Sequence, residues 1–82
     1  VLALAACAVV TAESSFHEKG LPRAVFELGC PADQVQIAVL VRNDGLGCAG
    51  SQIGVQGCGK KATYVCDRAQ NWVNDSGVVP AR

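Results

Sequence analysis

The sequence predicts a small, antiparallel, all-β module stapled by disulfides, a meander or sandwich of four to five short strands. Three observations carry that expectation. Apolar residues alternate with period two in short runs between Leu21 and Cys66. Clusters of Gly, Asn, Asp and Pro punctuate those runs as turns do. Five cysteines fall within 82 residues, the density of a chain whose core needs covalent help. The alternative is an α+β fold with an N-terminal helix.

The elements follow in chain order. Ala24, Phe26, Leu28 and Cys30 fall on one face of an alternating run, with Val25, Glu27 and Gly29 on the other; Pro22 ahead of it suits a strand entry. "PADQ" (31–34) reads as a turn or one helical turn, because Pro31 fixes its backbone and Asp33 favours turns. "VQIAVLVR" (35–42) begins alternating and becomes continuously apolar, the pattern of a central strand. "NDG" (43–45) is a turn signal and "LGCAGS" (46–51) a loop. "QIGVQ" (52–56) alternates again with Ile53 and Val55 inward, "GCGK" (57–60) turns the chain, and "KATYVC" (61–66) is a further strand. Around Trp72 and Val73 the pattern allows an edge strand or a helical turn, "DRAQNW" (67–72) being the second place for helix, and "SGVVPAR" (76–82) reads as loop.

Size and charge bound the function. A single domain of this length gains only about 3–5 kcal/mol from its core. Seven basic residues balance seven acidic ones and no run exceeds Lys60-Lys61, so no long-range field draws in nucleic acid. The first twelve residues, "VLALAACAVVTA", are apolar apart from Thr11. They are too few to cross a bilayer, which takes about twenty, and suit the apolar region of a secretory signal peptide. Leu4-Ala5-Ala6-Cys7 has the form of a bacterial lipobox, in which a small residue precedes a cysteine that is then lipidated. Val10-Thr11-Ala12 offers an ordinary signal-peptidase cut before Glu13, and a retained hydrophobic segment is the third possibility. The expected organisation is a leader or hydrophobic segment over 1–12, a tether over 13–20 in which Ser14, Ser15 and Gly20 supply flexibility, and a stapled β-module over 21–82.

Either cut leaves an even set: Cys30, Cys48, Cys58 and Cys66. Gly54, Gly59 and Lys60 satisfy G-x-x-x-x-G-K, the opening of a phosphate-cradling loop. That loop needs a Ser or Thr next and a helix after it; Lys61 and the β-forming "ATYVC" stand there instead, which excludes a nucleotide site. Zinc modules favour close ligand pairs, whereas 17, 9 and 7 residues separate the successive cysteines and the single histidine, His17, lies in the tether. No metal or other cofactor is expected. Disulfides remain. Four cysteines allow three pairings, and sequence does not choose among them; Cys30 with Cys58 and Cys48 with Cys66 is the working expectation, the first loop contributing about 3–4 kcal/mol. Gly57 and Gly59 then let the backbone turn tightly around a bridged residue.

"CPADQVQIAV", followed by "GVQGCGKKATYVC" and a trailing Trp72, resembles a cysteine-containing module of predicted bacterial envelope lipoproteins, especially of myxobacterial type. The shared pattern is Cys-Pro, an apolar strand, then G-C-G-[KR]-x-A-x-Y-x-C, over about Val25 to Trp72. The resemblance implies a location and a scaffold, and no reaction.

The residues themselves point away from catalysis. One histidine gives a Ser-His or Cys-His arrangement little support. The carboxylates Glu27, Asp33, Asp44, Asp67 and Asp75 sit mostly at turn signals, where Asp has backbone reasons to be. Cys58 and Cys66 are too separated for a C-x-x-C redox pair. Tyr64 and Trp72 are candidate partner anchors, with packing in the core as the competing assignment, and Lys60, Lys61 and Arg68 are a candidate basic patch. Asn74-Asp75-Ser76 fits the N-glycosylation pattern. The expectation is therefore a non-enzymatic envelope lipoprotein module with a structural or protein-interaction role, held at the membrane through Cys7. A freely secreted disulfide-rich binding or inhibitor domain is the first alternative, and a zinc- or thiol-dependent activity the second.

Overall fold

The computed structural model describes residues 11–43, 45 and 47–81. Cys7, the lipobox and Asp44 lie outside the described residues. Two layers form the body: a helical arm, then a five-stranded antiparallel sheet that the arm covers on one face.

The arm replaces both the expected tether and the expected first strand. Helix α1 (Ala12–Ser15) leads through a π-helical turn (Phe16–Gly20) into α2 (Leu21–Leu28), with the backbone right-handed helical at each joint. Thr11 starts it: the Thr11 side-chain oxygen accepts the Ser14 N–H at 3.1 Å, the N-cap geometry that satisfies an otherwise unpaired donor. Glu13 follows in the first turn and forms a two-pronged ion pair with Arg42 at 2.6 and 2.8 Å, pinning the start of the arm to the end of the first strand. The Arg42 guanidinium lowers the Glu13 carboxyl to about 2. The helix widens where Pro22 requires it. A proline ring clashes with the carbonyl four residues back, and the Leu21 N–H reaches five residues back, to the Phe16 carbonyl. Gly29 ends the arm in the left-handed conformation (φ 63°), which glycine adopts without a Cβ penalty.

Apart from Ser15, what the arm buries is a stripe of every fourth residue: Ala12, Phe16, Gly20, Ala24 and Leu28. Phe26, inward under an alternating pattern, is 85% exposed. A short 3-10 turn (Ala32–Gln34) follows where "PADQ" was expected to turn.

The sheet runs β1 (Gln36–Val41), β2 (Gln52–Gly57), β3 (Lys60–Cys66) and β4 (Trp72–Asn74) in that order, and β5 (Val79–Pro80) pairs with the start of β3. Three expectations change here. β1 is an edge strand rather than a central one, so its apolar run leaves Leu40 and Val41 exposed. The tail is not all loop, since Val79 pairs with Lys61 and Pro80 with Lys60. "DRAQN" (67–71) forms a turn ahead of Trp72, which opens β4, with the Asp67 carboxylate accepting the Ala69 and Asn71 N–H groups at 2.9 and 3.0 Å, a local bond that competes with helix.

The β2–β3 hairpin turns on Cys58 and Gly59, whose φ values of 52° and 78° are both positive, as a two-residue turn matched to strand twist demands. Gly59 thus has the turning role expected of it. Gly57 has another: it lies inside β2, and a Cβ there would stand 2.9 Å from the Cys30 sulfur and 2.8 Å from the Gln34 carbonyl oxygen. Its hydrogen lets the bridge approach the strand.

The core lies between the layers. Ile53 and Val55 of β2, Ala62, Tyr64 and Cys66 of β3 and Trp72 of β4 face Ala12, Phe16, Ala24 and Leu28 of the arm. Phe16 meets the Trp72 ring edge-on at 5.2 Å between centroids and the Tyr64 ring at 5.6 Å, arrangements that aromatic quadrupoles favour. Trp72 Nε1 donates to Ser15 Oγ at 3.1 Å, so the buried indole N–H is satisfied.

Candidate functional site

The cysteines pair as Cys30–Cys58 and Cys48–Cys66, each with Cα atoms 5.7 Å apart. The first bridge ties the end of the helical arm to the tip of the β2–β3 hairpin. The second ties the loop after β1 to the end of β3. With all four sulfurs joined, none is available as a thiolate ligand, and among the described residues no group of three or more His, Cys, Asp or Glu could hold a metal ion.

The residues proposed for partner contact separate. Tyr64 and Trp72 are 0% and 3% exposed; they belong to the core and cannot reach a partner. Lys60 turns toward the helical layer, where its Nζ donates to the Leu28 carbonyl oxygen at 3.4 Å, a cation against the negative end of α2. Lys61 lines the opposite, open face. Arg68 lies in the turn beyond the far end of β3, and the strand from Lys61 to Cys66 alone spans about 17 Å at about 3.3 Å per residue, so no basic patch forms. His17 is exposed on the π-helical turn. Asn74 of the glycosylation pattern is committed: its Nδ2 donates to Glu27 at 3.0 Å, and its Oδ1 accepts the Ser76 and Gly77 N–H groups.

Glu27, expected at a turn or on a strand, is the polar centre of the helix–sheet interface. Tyr64 Oη and Asn74 Nδ2 donate to its Oε1, while Arg23 Nε, one helical turn back, donates to Oε2 at 3.2 Å. These donors, the Tyr64 hydroxyl foremost, hold the Glu27 carboxyl below the ordinary carboxylate range. Burial first, and then the Glu27 carboxylate, push the Tyr64 hydroxyl up to about 12. The folded state therefore favours the protonated phenol. Its contribution to stability is complete below pH 10.0, the reference value, and is lost as pH rises through about 12. Because Tyr64 is the single tyrosine, the phenolate absorbance near 295 nm reports it alone. We expect a titration midpoint near 12 in the native protein, and near 10 in urea.

A comparison with family models, curated proteins and solved structures finds no match to this chain. The site must be read from its geometry.

That geometry points to the sheet face the arm leaves open. Antiparallel register stacks its residues in three rows across the strands. Gln36, Gln56 and Lys61 make the first, paired in succession across β1, β2 and β3. Ala38, Gly54 and Thr63 make the second, a floor of small side chains. The third runs Val41, Gln52, Val65 and Val73 across β1 to β4, aliphatic apart from Gln52, and a bulge between Val39 and Val41 brings Leu40 to this face as well. Leu40 leans over Gly54, its Cδ1 lying 3.5 Å from where a Cβ would be. Ser76 and Val79 close the opposite side of a groove of about 500 Å³, within the roughly 300–1,000 Å³ usual for small-molecule sites. Nothing in the alternating pattern marked this face. The readable signal was a glycine in mid-strand, which indicates that something approaches the backbone closely.

Proposed function

We propose that this chain is a non-enzymatic module of the bacterial cell envelope, anchored to a membrane through lipid on Cys7 and acting as a structural or interaction unit. The observation that carries the reading is the pair of bridges that engages Cys30, Cys48, Cys58 and Cys66, since stable disulfides belong to oxidising compartments. Cys7, in its Leu-Ala-Ala-Cys context, remains as the cysteine with a separate task. The resemblance of residues 25–72 to envelope lipoproteins of myxobacterial type supports the same location. So does the start of the arm. A cut before Glu13 would remove the Thr11 cap and the fully buried Ala12, whereas processing at Cys7 spares both.

Mass spectrometry of the mature protein tests the reading. The expected result is a lipid addition of several hundred daltons on Cys7, with the four other cysteines lacking their four thiol hydrogens. A chain beginning at Glu13 would replace the anchored module with a secreted binding domain. Free thiols with bound zinc would overturn the compartment and the scaffold together.

A further inference from the structure

We propose that the groove on the open sheet face binds a small anionic amphiphile, an aliphatic chain carrying one carboxylate head. The inference rests on the reading that this module binds rather than catalyses, and needs no anchor on Cys7.

The floor determines the kind of ligand. β2 is an interior strand, hydrogen-bonded to β1 on one side and to β3 on the other, so its backbone donors and acceptors under the groove are spent within the sheet. An extended peptide lying there would find no main-chain partners, and peptide recognition by strand addition depends on them. An aliphatic chain needs none. Ala38 and Gly54 give it a flat, small-residue bed, and Leu40 covers it from the side.

The rim determines the head. Lys61 is the one charged side chain among the described lining residues, and none of those residues carries a carboxylate. Cross-strand pairing sets the Gln56 amide beside Lys61 and the Gln36 amide beside Gln56. One ammonium and two neutral amides in a row can donate to a single carboxylate. They leave nothing to compensate a cationic head, which Lys61 would repel.

The test uses the full 82-residue chain with both bridges formed and Cys7→Ser, so that no attached lipid competes. Decanoate, below its aggregation concentration, is titrated while backbone amide chemical shifts are followed by NMR. We expect saturable shifts centred on Ala38, Gly54 and Thr63, with no comparable response to decyltrimethylammonium. Lys61→Gln should weaken decanoate binding by up to about fivefold, the upper end for one exposed charge pair. Gly54→Val should abolish the saturable shifts while leaving the fold intact: the nearest atom to its Cβ is at ordinary contact distance, and a β-branched residue suits a strand. Shifts that never saturate, that gather on the helical face, or that survive Gly54→Val would overturn the site. An equal response to the cationic amphiphile would overturn the carboxylate assignment. Failure here leaves the lipid mass on Cys7 untouched, so the two proposals fall separately.

Discussion

Replacing Cys30 and Cys58 by alanine is expected to lower the free energy of unfolding by about 3–4 kcal/mol, as much as the core of so small a domain supplies. The bridge closes a sequence separation of 28 residues, and the entropy withheld from the unfolded chain grows with the logarithm of that length. The Cys48–Cys66 bridge spans 18, and its loss should cost about 3 kcal/mol on the same reasoning. The first bridge has the larger consequence for architecture as well. It follows the Gly29 cap directly and holds the last turn of the arm on the hairpin tip, where the hydrogen bond from Lys60 to the Leu28 carbonyl and side-chain packing would be left to join the two layers. Gly57 has already given up its side chain to admit this bridge, and no larger neighbour stands ready to fill the gap. Urea unfolding followed by the fluorescence of Trp72, the single tryptophan, measures the change. A double variant as stable as its parent would show that the arm stays on the sheet without this bridge.

How much of this was legible in the sequence depends on how local the determining signal is. β2, β3 and their hairpin lie within a residue of their expected bounds, because period-two alternation and a Cys-Gly turn are short-range properties. The arm departs from the alternating pattern for a specific reason. Ala24 and Leu28 are four residues apart, a spacing that an alternating strand and a helix share. Phe26 alone separates the two patterns, and it is 85% exposed, so the residue that looked most like core decided wrongly. The rest of the stripe, Ala12, Phe16 and Gly20, lay in a segment already divided between leader and tether. Read as one run of every fourth residue, it would have given the helix. With the helix in place, Arg23 and Glu27 become an (i, i+4) pair, and Glu27 no longer reads as a turn residue. The open face was less accessible still. Its rows exist only through register between strands, which hydrophobic pattern constrains weakly where a face is not buried.

Phe16→Ala is expected to destabilise the protein by about 3–5 kcal/mol, the usual cost of removing a fully buried phenylalanine. Its side chain is 0% exposed and touches both other buried aromatic rings, so truncation opens a cavity bounded by Tyr64, Trp72 and the helical arm. Neighbours cannot easily collapse into it. Trp72 is held by the bond from its Nε1 to Ser15, and Tyr64 by its bond to Glu27. Gly20 faces the Phe16 ring with no side chain to extend. Phe26→Ala on the outer surface of the same arm should change stability by less than about 0.5 kcal/mol, although an alternating reading ranks it as core. Urea midpoints for the two variants, measured with both bridges intact, therefore distinguish the helix from the strand by a difference of several kcal/mol. A large loss for Phe26→Ala with little change for Phe16→Ala would place Leu21–Leu28 back on a strand and leave the preceding residues as tether.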